Sequence, residues 1–159
     1  MRIINLTKGK ITLVDDEDYE SIMNEGSWYT VQYDRYFYAQ RNTGKRPNRK
    51  LLYLHNFIMQ PPPGFLVDHI NHDGLDNQKH NLRIVTPSQN QMNRRIHSNN
   101  KSGYKGIYQN KNTHKWSAEI QVDGKRISKY GFIYPEDAAR AYDELAREYH
   151  GEFAVLNFK

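Results

Sequence analysis

Residues 67–90 read VDHINHDGLDNQKHNLRIVTPSQN, a stretch that holds three His, three Asp and four Asn. Such a density of proton-transferring and metal-binding side chains is typical of a functional site rather than of packing. The pattern predicts two strands, residues 67–70 and 82–85, joined by a polar loop. A helix should begin at Pro87, because proline is favoured at the first helical position. The expected unit has two strands and one helix, with polar side chains converging on one point.

The composition of the whole chain limits its class. A length of 159 residues allows one ordinary domain or two small ones. The mean hydropathy of -0.94 leaves little apolar material for one deep core, so we expect small lobes. The chain has no Cys, which excludes a disulfide framework and a Cys-based zinc site. With no long apolar run and no signal-peptide pattern, we expect a cytoplasmic protein without a membrane partner.

The positive charge of the chain is concentrated in two blocks. The net charge is +5 and the isoelectric point is about 9.3, which favours a polyanionic partner. Residues 31–60 carry six Lys or Arg against one acid, and residues 101–134 carry seven against two. Each block therefore has a charge of +5, and the two flank the polar stretch. This layout is expected if a scissile phosphate lies at the stretch and DNA backbone phosphates run to either side.

Five of the six cations of the first block lie in residues 41–50, which are predicted to form a loop. The composition fits either a solvated loop or a contact to the DNA backbone. Two more cations are expected on the helix that begins at Pro87. The candidate DNA contacts of these two segments are Arg41, Lys45, Arg46, Arg49, Arg94 and Arg95.

The polar stretch has the groups that phosphodiester hydrolysis needs, an activated water and charge stabilisation at the phosphoryl oxygens. His69 can act as general base, because an ordinary imidazole pKa of about 6.5 leaves it largely neutral in the cell. The Asp68 carboxylate and the Asn90 amide oxygen would hold one hard cation, Mg²⁺ or Mn²⁺. Asn81 is placed to accept a hydrogen bond from the second nitrogen of His69, which would fix its tautomer.

The histidines of this stretch also allow other interpretations. An EF-hand loop fails, because Gly74 at its sixth position would put His69 first and His80 last, where acids are required. A zinc site formed by His69, His72 and His80 stays open, since spacing alone does not exclude it. His55 is expected to be a core histidine or a support for the site.

The second half of the chain predicts a small sheet with one helix. Residues 97–103 are small and polar and form the best linker. Alternating and helical patterns then predict three strands and a helix, at residues 104–110, 116–122, 126–130 and 135–149. The helix should cover one face of the sheet. The other face is either a solvated surface or a DNA reader, and its polar residues are Glu119, Gln121, Arg126 and Ser128, with Lys105 and Tyr108 nearby.

The frame around Asp68, His69, Asn81 and Asn90 resembles the ββα-metal motif of HNH endonucleases, particularly phage and intron-encoded homing types. In that family the His is the general base and the Asn of the following strand orients it. The Asp and the helical residue bind the divalent metal. The helical position is often His, and Asn90 still offers a neutral ligand there. The resemblance covers about residues 67–95.

A second resemblance covers residues 104–158. The segments YKGI (104–107), KWSAEI (115–120) and EDAARAYD (136–143) are similar to the plant ethylene-response-factor DNA-binding domain. The DNA-contacting positions of that domain fall here on Lys105, Tyr108, Asn110, Gln121, Arg126 and Ser128, while Glu119 is retained. The sequence preference of the plant proteins therefore does not transfer.

Together these observations predict an α+β chain, in which a β-rich N-terminal lobe leads into a ββα-metal nuclease motif, followed by a three-stranded antiparallel sheet packed on one helix. The predicted boundaries are 1–96 for the nuclease domain, 97–103 for the linker and 104–159 for the DNA-binding domain. The expected function is metal-dependent cleavage of double-stranded DNA by a monomer, with a homing role included. The alternatives are a non-catalytic DNA-binding regulator and a zinc-binding structural module.

Overall fold

The computed structural model describes residues 1–45, 47–96, 99–122 and 124–158. It contains helices and several small antiparallel sheets, which confirms the predicted α+β class. The chain forms two compact units, Met1–Thr86 and Pro87–Lys159. The predicted domain boundaries stay predictions, and His97 and Ser98 of the expected linker lie outside the described residues. None of the described helices is both long and apolar enough to cross a membrane.

The first unit begins with short strands that surround one helix. Its opening elements are the hairpin β1 (Arg2–Asn5) and β2 (Ile11–Val14), helix α1 (Asp16–Asn24), and an antiparallel sheet of β3 (Tyr29–Tyr33), β4 (Tyr36–Thr43) and β5 (Lys50–Tyr53). Val14 of β2 and Ile22 of α1 are fully buried in the hydrophobic core of this unit. The indole of Trp28 donates a hydrogen bond of 3.0 Å to the carbonyl of Ile22, which fixes the end of α1 against the sheet.

The predicted loop at residues 41–50 is shorter than expected. Strand β4 continues to Thr43, and Lys50 pairs directly with it at the start of β5. Only residues 44–49 connect the two strands. Arg41 therefore lies within β4, opposite Leu52, rather than in a loop. The polar and basic composition of residues 41–43 hid the end of β4, because the apolar residues of that strand, 36–39, all come before them.

The remainder of the first unit carries the polar stretch. Helix α2 (Leu54–Met59) leads into β6 (Leu66–His69), which pairs antiparallel with β7 (Leu82–Val85). A short 3₁₀ turn, Lys79–Asn81, brings the chain back into β7. The β7 bounds agree with the prediction, and β6 begins and ends one residue earlier than predicted. Asp68 and His69 thus lie at the C-terminal end of a strand, where the loop begins.

The second unit contains the predicted sheet and helix. It begins with α3 (Pro87–Met92), whose first residue is the predicted proline. The elements that follow are β8 (Ile107–Gln109), β9 (Trp116–Val122), β10 (Lys125–Phe132) and α4 (Pro135–His150). The three strands form an antiparallel sheet in the order β10-β9-β8, and α4 packs on it.

The core of the second unit depends on small side chains. Ala138, Ala139 and Ala146 of α4 are fully buried, and they let the helix approach Ala118 of β9 closely. The buried ring of Tyr142 fills the space beside them. Helix α4 thus covers one face of the sheet, and the polar residues of β9 and β10 alternate onto the other face.

A buried carboxylate holds the C-terminal segment of the second unit. Asp143 of α4 is 2% exposed. Its two oxygens accept hydrogen bonds from the backbone N–H groups of Asn157 and Phe158, at 2.8 Å and 2.9 Å. The amide oxygen of Asn157 in turn accepts from the backbone N–H of Lys105, at 2.7 Å. The segment after α4 is therefore tied to the chain that leads into β8.

Candidate active site

Asp68 and His69 are adjacent buried groups at the end of β6. Their exposed fractions are 8% and 6%. The register places Asp68 opposite Arg83 of β7. Both Nε and Nη2 of Arg83 lie 3.0 Å from Oδ2 of Asp68, so the guanidinium fixes the orientation of the carboxylate. Because both partners are largely buried, solvent screens this pair little.

The imidazole of His69 is enclosed by aromatic rings. The His55 ring meets it edge-on with centroids 5.0 Å apart, and the Tyr38 ring lies at 6.0 Å. Nε2 of His69 lies 3.2 Å from Oδ1 of Asn77. Burial lowers the pKa of His69, while the Asn77 contact and the Asp68 carboxylate partly oppose that shift. The ring is therefore neutral at neutral pH and able to accept a proton.

The hydrogen-bond partner of His69 differs from the one that the sequence predicted. Asn81 was expected there, but its amide is committed to the loop between β6 and β7. Its oxygen accepts from the backbone N–H of Asn71 at 3.0 Å, and its NH₂ donates to the carbonyl of Asp76 at 2.8 Å. Asn77, which is fully buried, faces His69 instead. The sequence offered no signal for Asn77 beyond its place in the polar frame.

Much of the polar density of the stretch shapes the loop itself. Asn71 accepts from the backbone N–H of Asp73 at 2.8 Å and donates to the carboxylate of Asp76 at 2.8 Å. Asp73 accepts from the backbone N–H of Leu75 at 3.0 Å. A side chain at Gly74 would overlap the carbonyl of Phe37 and the ring of Tyr38, so the loop packs directly on β4. The loop is thus a rigid platform beside His69.

Comparison with known proteins supports the motif. Residues 60–92 match the family model described as HNH endonuclease. The chain is 32% identical over 93 residues to Protein 3.8 of Escherichia phage T7, which covers 58% of this chain and 76% of that protein. The chain belongs to the HNH endonuclease family. The matched residues contain all of β6, the loop, β7 and α3, and hence every residue of the predicted catalytic set.

Two further relatives extend the comparison beyond the HNH motif. An uncharacterized HNH endonuclease of Acanthamoeba polyphaga mimivirus is 33% identical over 131 residues, or 82% of this chain, and the chain spans 63% of that relative's length. An ethylene-responsive transcription factor of Arabidopsis thaliana is 46% identical over 57 residues, covering 35% of this chain and 31% of that protein. No solved structure matches the chain.

His55 supports the HNH motif from α2. Its ring stacks on Tyr53 with centroids 5.3 Å apart and an interplanar angle of 12°. Its Nδ1 is buried and has no hydrogen-bond partner among the described residues. Burial, and secondarily the charge of His69, lowers the pKa of His55 to about 3. His55 is therefore a neutral packing group that encloses the base.

The depressed pKa of His55 predicts an acid-sensitive fold. Above pH 6.5 neither the folded nor the unfolded state protonates this residue. Between pH 6.5 and about 3 the unfolded state binds a proton that the folded state excludes. The free energy of unfolding therefore decreases as the pH is lowered through this range. The variant His55→Phe should lose less stability than wild type between pH 7.5 and pH 5, as measured by urea unfolding. Equal losses in the two proteins would contradict the assignment.

The described side chains offer oxygen donors for a metal but no preformed cluster. In the described part of the chain, no group of three or more His, Asp or Glu side chains is arranged so that it could hold a metal ion. His69, His72 and His80 therefore do not form the zinc site that their spacing left open. The Asp68 carboxylate is a hard donor that suits a divalent cation such as Mg²⁺. Asn90 lies on α3, in the second unit, and its pairing with Asp68 stays a prediction.

The basic candidates of the first unit differ in their surroundings. Nη1 of Arg41 lies 2.7 Å from the Glu25 carboxylate, and its guanidinium stacks over Trp28 at 5.7 Å. Its side chain is 19% exposed, so Arg41 supports the fold and is a poor candidate for DNA contact. Lys45 and Arg49 are exposed in the loop of residues 44–49. Arg46 lies outside the described residues.

The uncovered face of the second sheet carries most of the remaining candidates. Cross-strand partners in an antiparallel sheet share a face, and the register pairs Glu119 with Ser128 and Gln121 with Arg126. Tyr108 joins the same face opposite Ser117 and is 58% exposed. Nε of Arg126 lies 3.1 Å from the Glu119 carboxylate. These residues form one continuous polar surface, which we call the open sheet face (Tyr108, Glu119, Gln121, Arg126 and Ser128).

Four other candidates of the second unit lie elsewhere. The Lys105 ammonium donates to the carbonyl of Met92 at 2.6 Å, and burial, with a smaller effect of Arg94, lowers its pKa to about 8. Asn110 accepts from the backbone N–H groups of residues 112 and 113 and so closes the turn before β9. Both have structural roles that the sequence did not reveal. Arg94 and Arg95 are exposed, but they do not lie on the helix as predicted. Helix α3 ends at Met92, before both residues.

Proposed function

We propose that this chain is a metal-dependent endonuclease that hydrolyses phosphodiester bonds in double-stranded DNA, by nicking or by cutting both strands. The observation that carries the proposal is the buried pair at the end of β6, a neutral His69 beside an Asp68 carboxylate fixed by Arg83. Membership of the HNH endonuclease family supports the same chemistry. The homing-type frame of residues 67–90 is the reason to include a homing role. The setting would be the DNA of a bacterial or phage-infected cell.

The catalytic roles follow from the contacts of each side chain. His69 accepts a proton from the attacking water, because its ring is neutral and its Nε2 is already held by Asn77. Asp68 and Asn90 would hold one divalent ion, Mg²⁺ or Mn²⁺. When bound, that ion supplies positive charge to the phosphoryl oxygens and the leaving oxygen. Asn81 keeps the loop in the shape that presents His69, through Asn71 and Asp76.

The experiment that tests the metal requirement is chelation. Cleavage of a duplex by the full chain should stop in EDTA and return when Mg²⁺ or Mn²⁺ is added in excess, because one carboxylate and one amide hold such an ion loosely. Duplex binding should survive in EDTA. Undiminished cleavage in the chelator would exclude the metal role. Binding without cleavage at any metal concentration would favour the non-catalytic regulator.

The open sheet face is the proposed DNA-binding surface of the second unit. Two antiparallel strands can enter the major groove, where polar side chains contact base edges. Replacing Arg126 with Ala should weaken duplex binding and lower the salt dependence of the binding constant by about one unit of slope, because one cation near a phosphate is lost. Fluorescence anisotropy over a range of salt concentrations measures both quantities.

Lys129→Ala is the matched control for that variant. Lys129 also lies on β10, but it pairs with Ala118 on the helix-covered face, and its ammonium lies 2.8 Å from the Glu144 carboxylate of α4. Both variants remove one positive charge, so a purely nonspecific charge effect would make them equal. We expect Lys129→Ala to bind like wild type. Equal weakening by the two variants would show that the open sheet face does not meet DNA.

A further inference from the structure

The N-terminal strand β2 clamps the loop that carries Asn77. The backbone N–H of Leu13 donates to the carbonyl of Leu75, and the backbone N–H of Asn77 donates to the carbonyl of Leu13, both at 2.9 Å. Leu13 and Asp76 thereby form a short parallel bridge. Strand β2 lies outside the residues that match the HNH family, 60–92. A segment far away in sequence therefore shapes the wall of the candidate site.

Thr12 lies beside this clamp and has a hydroxyl whose direction is determined. The residue is fully buried. Its Oγ1 lies 2.7 Å from the carbonyl oxygen of Leu75, which can only accept a hydrogen bond. A hydroxyl has one proton to donate, so that proton points at Leu75. Toward any other neighbour, the Thr12 oxygen must act as an acceptor.

The direction of the Thr12 hydroxyl sets the orientation of Asn77. Nδ2 of Asn77 lies 2.8 Å from the Thr12 oxygen and 3.4 Å from the carbonyl of Gly74. Both oxygens accept, so the NH₂ group of the amide must face them. The amide oxygen of Asn77 is then directed at Nε2 of His69, at 3.2 Å. An amide oxygen cannot donate, so Nε2 must carry the proton and Nδ1 the lone pair.

We propose that Thr12 is a positioning residue for the candidate general base, because its hydroxyl fixes the Asn77 amide and thereby selects the His69 tautomer with its lone pair on Nδ1. The proposal rests on the proposed nuclease function for its effect on rate. Its structural content, the choice of tautomer, does not depend on that function. A base held in one tautomer is ready to take a proton from water without a prior rearrangement of the ring.

Three variants separate this role from simple packing. Thr12→Val keeps the shape of the side chain but removes the hydroxyl, so the Asn77 amide loses the nearer of its two acceptors and keeps only the Gly74 carbonyl at 3.4 Å. Thr12→Ser keeps the hydroxyl and removes a methyl group. Thr30→Val is the matched control, because Thr30 is also buried and donates its hydroxyl to a backbone carbonyl, that of Thr7 at 2.9 Å.

The direct readout is ¹⁵N NMR of the full chain labelled at histidine, with the His69 signals assigned by their loss in His69→Gln. Wild type at neutral pH should show a protonated Nε2 and an unprotonated Nδ1. Thr12→Val should show a mixture of both tautomers, while Thr12→Ser and Thr30→Val keep the wild-type pattern. A wild-type ring protonated at Nδ1 would overturn the proposal, even if Thr12→Val did not fold.

The kinetic readout is single-turnover cleavage at saturating enzyme. Thr12→Val should cut about 10-fold more slowly or worse, with duplex affinity unchanged, and Thr12→Ser should restore most of the rate. Equal losses in Thr12→Ser, or in Thr30→Val, would mean that packing explains the effect and would overturn the proposal. If Thr12→Val cuts normally while His69→Ala is inactive, the positioning role fails and the nuclease function stands. If His69→Ala cuts as fast as wild type, the general-base role of His69 fails. If wild type does not cut at any metal concentration, the nuclease function fails, and in both cases the NMR spectrum still decides the tautomer.

Discussion

The variant His69→Ala should cleave DNA at least about 10²-fold more slowly than wild type while binding the duplex with nearly the same affinity. The buried, neutral imidazole directly follows the fixed Asp68 carboxylate in the chain, and Ala leaves no group at that position that can take a proton from water. The substitution changes neither the loop of residues 44–49 nor the open sheet face. Binding and single-turnover cleavage of one labelled duplex measure the two effects separately.

His80→Ala is the matched control for this variant. His80 lies in the same stretch, in the 3₁₀ turn before β7, but its side chain is exposed. We expect its rate and affinity to equal those of wild type. Similar rates for His69→Ala and His80→Ala would remove His69 from the chemistry. A large loss of duplex binding in His69→Ala would instead indicate that the residue acts on the substrate complex rather than on the water.

The largest effect on stability is expected from Gly106→Ala. Gly106 has a φ of +70°, and a Cβ there would overlap the buried ring of Tyr142. The substitution combines left-handed backbone strain with overpacking of the core, and together these should cost roughly 2–5 kcal/mol. Urea unfolding followed by circular dichroism should show a less stable second unit. Duplex affinity should fall with it if the open sheet face binds DNA.

Gly103→Ala isolates the backbone part of that effect. Gly103 has a φ of +76°, yet a Cβ there would meet no atom within 4 Å. Its substitution should cost only about 1–2 kcal/mol, which is the strain of a left-handed non-glycine residue. The difference between the two variants then measures the clash with Tyr142. Equal destabilisation would mean that close packing at Gly106 does not hold the sheet against α4.

Much of the fold could be predicted from local sequence patterns. The alternation of residues 116–122 gave the bounds of β9, and Pro87 gave the start of α3. Strand β1 was not predicted, since four residues paired with β2 carry too little pattern. The basic composition around Arg41 predicts a loop, whereas pairing of β4 with β5 puts Arg41 in a strand. Local periodicity finds long elements, but it does not find short edge strands.

The candidate site could be predicted only in part. The concentration of polar residues identified Asp68 and His69 as a pair worth testing, and the structure buries both at one strand end. The partner of His69 depends on contacts that no local pattern encodes. Thr12 orients Asn77 across 65 residues of chain, and Asn81 is used by the loop backbone. The position of Lys105 also depends on contacts that no local pattern encodes. Its side chain is largely enclosed, and its ammonium donates to the carbonyl of Met92.

The central claim is that this chain cuts DNA with a metal ion and His69. The most direct test incubates supercoiled plasmid with the purified full chain in Mg²⁺ or Mn²⁺, beside the same protein in EDTA and the His69→Ala variant in metal. The proposal predicts conversion to open-circular or linear plasmid by wild type in metal alone. Equal conversion by the His69→Ala variant, or no conversion by wild type at any metal concentration, would contradict it.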